Sequence, residues 1–160
     1  MIGEKGKSRI YAFGFTNNIS ARVLYGLKRV SHCYIVWPNN INQYLNILIY
    51  DKPEYVLGLG EYSGIDQEAV RIETVAKNQF RNDPIEPDVF LKEVCFTPFV
   101  KQVNGTKLVS GLGNSWCNFI SWKILRLISN NKLSSRYSFL HVPRSFRTRN
   151  AVEIIEEMIF

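Results

Sequence analysis

A thiol, an imidazole and a carboxylate stand in three contexts that suit acyl transfer. Cys117 lies in Gly113-Asn114-Ser115-Trp116-Cys117-Asn118-Phe119, where a glycine-containing loop runs into a helical pattern. His141 lies in Ser138-Phe139-Leu140-His141-Val142-Pro143, at the end of an apolar strand pattern. Glu73 lies in Ile72-Glu73-Thr74-Val75-Ala76, an acid inside another strand-like run. A sulfur nucleophile, a general base and an acid that orients the base are what this chemistry needs.

Each residue has a plainer alternative, and its context decides how much weight that alternative keeps. A cysteine is most often a small buried hydrophobe. Cys117, however, falls in the first turn of its helix, where unpaired N–H groups and the helix dipole favour negative charge. That position predicts a lowered thiol pKa and N–H groups able to hold an oxyanion. Cys33 and Cys95 sit in apolar strand-like runs with no glycine approach and read as structural. His141 is either a satisfied core histidine or, at the mouth of a parallel sheet, a proton carrier. His32, beside Arg29 and Ser31, reads as a surface residue. Alternation puts Arg71, Glu73 and Val75 on one strand face. Glu73 is then either an exposed acid paired with Arg71 or a buried one with a partner.

The elements that must position these groups follow from periodicity and punctuation. Ile10 to Phe15 reads as a strand. Asn17-Asn18 offers a cap, and Ile19, Val23, Leu24, Leu27 and Val30 follow at helical spacing. Cys33 to Trp37 reads as a strand closed by Pro38. Asn39-Asn40 caps a helix carrying Ile41, Tyr44, Leu45, Leu48 and Ile49, against the local β-propensity of Ile47 to Tyr50, and Pro53 ends it. Tyr55 to Leu59, Val70 to Ala76 and Lys107 to Ser110 read as strands. The stretch from Asn78 to Asn104, broken by Pro84, Pro87 and Pro98, carries no clear period. A helix runs from Asn114 or Ser115 to about Ser129, a last strand from Tyr137 to Val142, and a last amphipathic helix from Arg149 to Ile159. Strands alternating with helices predict an α/β fold of three layers, a largely parallel or mixed sheet with helices on both faces. Sites in such folds form at the carboxyl ends of the strands.

Composition narrows the function classes. One domain, residues 1–160, is the expectation for this length, and a core of this size needs no disulfide or metal. The chain is 46% hydrophobic and 13% aromatic, which argues against disorder. Three widely spaced cysteines form no disulfide framework and suit a reducing, cytoplasmic compartment. With no Cys-x-x-Cys and two histidines, no metal site is expected. Met1 to Ser8 carries no apolar signal core, and no run has the length of a membrane span. The net charge of +6 permits nucleic-acid binding, but the basic residues are spread along the chain. Their densest group, Arg144, Arg147 and Arg149, reads first as a solvated face, so no nucleic-acid or membrane partner is expected. Gly58-Leu59-Gly60 and Gly111-Leu112-Gly113 fit no dinucleotide fingerprint, and no Walker lysine accompanies them. They suit close approach of substrate to backbone, with no cofactor.

These strings, in this order, resemble the pyroglutamyl peptidase family (pyrrolidone-carboxyl peptidases), as a short, divergent member. Ile10 to Phe15 with Gly14-Phe15 resembles the opening strand and Gly-Phe motif. Lys52-Pro53-Glu54-Tyr55-Val56-Leu57-Gly58-Leu59-Gly60 resembles the strand and glycine loop that follow. Ile72-Glu73-Thr74-Val75-Ala76-Lys77-Asn78 resembles the Ile-Glu-Arg-x-Ala-x-Asn segment of the family's catalytic glutamate, and Gly113 to Phe119 resembles the nucleophile loop. Phe139-Leu140-His141-Val142-Pro143 resembles the family's Phe-Ile-His-Val-Pro, the most specific of the set.

The resemblance implies a cysteine peptidase that removes an N-terminal pyroglutamyl residue through a thioester acyl-enzyme. It makes Cys117 the nucleophile, His141 base then acid, and Glu73 the orienting group. It also implies Arg81 at the oxyanion, at a spacing two residues shorter than the family's. Phe13, Phe15, Gly60, Glu61 and Trp116 are implied around the substrate, with no cofactor and a possible homo-oligomer. The sequence departs from the family after Phe15, where Thr16-Asn17-Asn18-Ile19 replaces a second phenylalanine and a Gly-Gly. That departure motivates a second expectation, the same triad acting on another peptide or small amide. A third is an inactive binding homologue.

Overall fold

The computed structural model describes residues 9–160. The described residues form four helices and eight strands, which alternate except for the run of five strands between the second and third helices. The strands are β1 (Ile10–Gly14), β2 (His32–Ile35), β3 (Tyr55–Tyr62), β4 (Val70–Glu73), β5 (Val75–Lys77), β6 (Glu93–Cys95), β7 (Thr106–Val109) and β8 (Arg136–Pro143). The helices are α1 (Ile19–Gly26), α2 (Ile41–Asp51), α3 (Trp116–Asn130) and α4 (Thr148–Met158).

Six strands form one sheet in the order β2-β1-β3-β8-β4-β7. β2, β1, β3 and β8 run parallel to one another, and β4 lies antiparallel to β8 with β7 parallel beside it. The sheet is therefore mixed. Period-2 alternation splits its side chains into two cores. Ile10, Ala12, Leu57, Leu59, Ile72, Leu140 and Val142 pack on one face with Val23 and Leu24 of α1 and Ala151, Ile155 and Met158 of α4. Tyr11, Phe13, Val56, Tyr137 and Phe139 pack on the other with Tyr44 and Leu48 of α2 and Ile120, Trp122 and Ile124 of α3. Helices cover both faces, as the alternation predicts.

The local signals act where their chemistry requires. The Asn18 side chain accepts from the Ser20 N–H at 2.8 Å and caps α1. α2 outcompetes the β-propensity of Ile47 to Tyr50 because Ile41, Tyr44 and Leu48 bury one helical stripe, and it ends at Lys52 in the left-handed region.

Four expectations change. α1 stops at Gly26 rather than Val30, because Leu27 turns extended; a Cβ on Gly26 would lie 2.7 Å from Val152 of α4, so the two helices meet there. The run Val70 to Ala76 is two strands, not one. Thr74 breaks it by turning its N–H and its hydroxyl to the Val109 carbonyl and its own carbonyl to the Phe96 N–H. The unreadable stretch contributes β6, which pairs antiparallel with β5. Cys33 and Cys95 are exposed, not buried, because β2 and β6 lie at sheet edges.

Candidate active site

The carboxylate and the imidazole meet first. Glu73 and Phe139 are register partners across β4 and β8, as are Arg71 and His141. Cross-strand partners share a face, so His141 reaches Glu73 along the diagonal. Its Nδ1 lies 2.8 Å from Glu73 Oε1. Glu73 is fully buried, and its second oxygen accepts the Gly111 N–H at 2.7 Å. The exposed alternative is thereby set aside, while Arg71 does stand near: its Nε is 4.0 Å from Glu73 Oε1, within ion-pair reach but too far for a hydrogen bond. With Nδ1 donating to the carboxylate, Nε2 is left as the basic nitrogen.

The thiol meets the imidazole over Gly60. Gly60 and His141 are register partners across β3 and β8. A Cβ on Gly60 would lie 2.8 Å from Cys117 Sγ and 3.0 Å from His141 Cδ2. Sulfur and ring therefore crowd the same point, and only a residue without a side chain leaves room for both. Gly60, expected beside the substrate, makes this space for the nucleophile.

Side chains outside the predicted set hold Cys117 there. Asn118, the next residue, is fully buried; its Oδ1 accepts the Lys77 N–H and its amide donates to the Lys77 and Gln79 carbonyls. Ser121 donates to the Cys117 carbonyl and shares a 2.7 Å hydrogen bond with the Tyr137 hydroxyl. Trp122 and Arg126 both donate to Glu86 and tie the loop after β5 to α3. The start of α3 has no side-chain cap. Among the described residues the N–H groups of Trp116 and Asn118 have no backbone acceptor, and the Cys117 N–H turns toward its own sulfur.

The electrostatics overturn one expectation. The Cys117 thiol is pushed up to about 12, not lowered. Burial away from water is the larger cause and the negative charge of Glu73 the second, with the Cys117 N–H pulling weakly the other way. Helix position alone ignores both opposing effects.

The remaining predicted residues divide. Phe13 does not line the site. It is fully buried between Tyr44 and Phe139, and a Cβ on Gly58 would touch its ring, so it is core. Phe15, beyond the end of β1, is half-buried and edge-on to Phe13. Trp116 is half-buried and packs on Phe80 and Phe119. Glu61 turns its carboxylate to the Ile19 N–H and to Arg144 at 2.8 Å. Burial opposes its charge, but those two donors outweigh it and hold the carboxyl below its usual range. Arg81 is exposed with positive φ; its N–H donates to the Asn114 carbonyl and its guanidinium lies over Phe80. This joins Arg81 to the nucleophile loop through backbone, with its side chain turned to the surface. In the basic group, Arg144 pairs with Glu61 and Arg149 with Glu153.

Sequence reasoning took Arg71 only as a surface partner of Glu73 and missed Tyr62. The Arg71 guanidinium stacks 4.2 Å from the centre of the Tyr62 ring, which lies 6.2 Å from the His141 ring. A cleft of about 190 Å³ runs alongside, lined by Val75, Lys77, Ser110, Gly111, Leu112, Gly113 and Asn118. The signal for Arg71 was its register opposite His141, which needs the strand pairing.

Among the described residues no three His, Cys, Asp or Glu side chains cluster to hold a metal. No described helix is long and apolar enough to cross a membrane.

No protein-family model and no curated protein matches this chain. Solved structures do. The pyrrolidone carboxyl peptidase of Thermococcus litoralis is 16% identical at a TM-score of 0.75, covering 95% of this chain and 91% of its own. That of Thermus thermophilus is 15% identical at 0.75, covering 94% and 98%. Pyroglutamyl peptidase I of Bacillus amyloliquefaciens is 14% identical at 0.79, covering 95% of each. What is shared at these identities is the fold, a mixed α/β sheet between two helical layers.

Proposed function

We propose that this chain, which has the fold of the pyrrolidone carboxyl peptidases, is a cysteine-type hydrolase that removes an N-terminal pyroglutamyl residue from peptides. One observation carries the reading: Glu73 bonds His141 at 2.8 Å, while the Cys117 sulfur and the His141 ring edge lie 2.8 and 3.0 Å from one point over Gly60. A structural cysteine or a satisfied core histidine has no need of this three-part arrangement.

The steps follow from the atoms present. Glu73 accepts from Nδ1–H and sets the tautomer, so Nε2, next to the Cδ2 edge that faces Gly60, takes the Cys117 proton. Sγ attacks the pyroglutamyl carbonyl carbon, and the carbonyl π pair moves to oxygen. The free N–H groups at the start of α3 receive that oxyanion. Arg81 braces the nucleophile loop through its N–H bond to the Asn114 carbonyl, while its side chain faces the surface. The C–N bond then breaks, and the leaving amine takes the proton from Nε2. Water attacks the thioester with His141 again as base. It releases pyroglutamate and restores the thiol. Glu73, buried with a hydrogen-bond partner on each oxygen, stabilises the imidazolium each time it forms.

Because the thiol is pushed up to about 12, the nucleophile is neutral at rest. It is activated by proton transfer during attack, not stored as an ion pair. Phe15, half-buried past the end of β1, is the candidate to meet the substrate ring, and Phe13 is packed in the core against Phe139. The loss of that second phenylalanine favours one alternative, the same chemistry on a different small N-terminal amide. The test is hydrolysis of a fluorogenic pyroglutamyl amide by wild type and Cys117→Ala, beside aminoacyl amides. Turnover of the pyroglutamyl amide that vanishes in the variant supports the reading. Preference for another amide moves it to the alternative, and equal activity in the variant refutes both.

A further inference from the structure

Arg71 is an arginine with unused hydrogen-bonding capacity beside the reacting atoms. Its side chain is 13% exposed. Among the described residues none of its N–H groups has a hydrogen-bond acceptor, and Nε is buried without one. A buried, unpaired Nε–H on a guanidinium whose other donors reach only the edge of solvent is costly and calls for an explanation. Glu73 offsets part of the charge, with Oε1 4.0 Å from Nε, but at that distance it accepts no hydrogen bond, so the donors stay unpaired.

The guanidinium is held in place without being satisfied. Tyr62 on β3 and Arg71 on β4 lie on the two sides of β8, and their side chains stack at 4.2 Å, bridging the strand that carries His141. Arg71 Nη2 also lies 3.1 Å from where a Cβ on Gly111 would stand, so a glycine there leaves room for the group. Stacking uses the π face of a guanidinium and leaves its in-plane donors free. Those donors stand at the register position directly opposite His141, whose ring edge lies by the same point over Gly60 as the Cys117 sulfur. A planar fork of N–H donors recognises a carboxylate in two-point fashion.

We propose that Arg71 is an anion anchor of the active site and that the chain prefers substrates carrying a carboxylate next to the scissile amide. The ligand class is a short acyl-peptide whose carboxylate reaches Arg71 while its carbonyl meets Cys117. The proposal rests on Cys117 being the reacting atom, but not on pyroglutamyl specificity, so its test avoids turnover.

The experiment is alkylation of Cys117 at pH 9 in a Cys33→Ser, Cys95→Ser background, with iodoacetate and iodoacetamide compared by intact mass. Both reagents draw on the same thiolate, so the ratio of their rates cancels its pKa and isolates the reagent's charge. Arg71→Gln is expected to lower the iodoacetate-to-iodoacetamide ratio by about tenfold, and Arg71→Lys, which keeps the charge and loses the fork, by less. A merely structural Arg71 would slow both reagents together. An unchanged ratio in a folded Arg71→Gln overturns the proposal; if that variant fails to fold, a Lys variant with the wild-type ratio in 0.5 M sodium chloride as in low salt does the same. Protection of Cys117 from iodoacetamide by pyroglutamyl-alanine and by its C-terminal amide then locates the carboxylate. Better protection by the free acid assigns it to the leaving residue, and equal protection with the ratio effect intact assigns it to the acyl side.

Discussion

The resting state of Cys117 is the point at which the physical account is most exposed to refutation. With the thiol pushed up to about 12, roughly 3 molecules in 100,000 carry a thiolate at pH 7.5, against about 1 in 10 for an unperturbed thiol near 8.5. Alkylation by iodoacetamide at pH 7.5 should therefore run roughly a thousandfold or more below that of a short cysteine peptide. It should rise about tenfold per pH unit from 8 to 11, with no plateau near neutrality. The same shift has a second readout in stability. The folded pKa lies above the unfolded one, so the contribution is fully present below about 8.5 and is lost as the pH climbs toward 12. At pH 11 the wild type should have lost about 3 kcal/mol on this account, and Cys117→Ala, with no thiol to ionise, should be spared that loss. The assay is denaturant unfolding of both proteins at pH 8 and pH 11. A labelling plateau below pH 7, or equal alkaline losses in the two proteins, would mean that the thiolate is stored at rest and that the burial argument is wrong.

Two further substitutions probe the geometry. Glu73→Gln keeps an acceptor for the Gly111 N–H but offers Nδ1 the wrong partner, and turnover should drop by about 10³–10⁴-fold; activity within tenfold of wild type would remove Glu73 from the mechanism. Gly60→Ala sets a methyl group 2.8 Å from the sulfur, with Phe139 and His141 closing the other sides, and should cost about 1–3 kcal/mol of stability while displacing the thiol. Unchanged melting temperature and turnover would refute the crowding of thiol and ring at that point.

What was legible in the sequence, and what was not, follows one physical division. The alternation in Ile10 to Gly14 and Tyr137 to Val142 and the 3.6 period of α2 and α3 are local, and each element formed where its pattern lay. Phe13 was misassigned because alternation gives Phe13 and Phe15 one face but not the point where β1 ends. Phe13 lies inside the strand over Gly58 and Phe139, and Phe15 lies past its end. Arg71 went unused because its partner across the sheet, His141, is 70 positions away and is found only through an antiparallel pairing within a mostly parallel sheet. Asn118 and Ser121, the residues that fix the nucleophile, read as ordinary polar residues of a helix until β5 and Tyr137 supply their partners. The thiol pKa was wrong in sign for the same reason. A helix N-terminus is visible in sequence, whereas the packing that dries the sulfur and the charge of Glu73 behind His141 are tertiary. With the thiol protonated at rest, the charged groups nearest it are Glu73 and Arg71, and Glu73 already accepts hydrogen bonds from His141 and Gly111. The group with unspent attraction is Arg71. Binding energy drawn from an anionic substrate at Arg71 would be available to drive proton transfer from a thiol that does not ionise unaided.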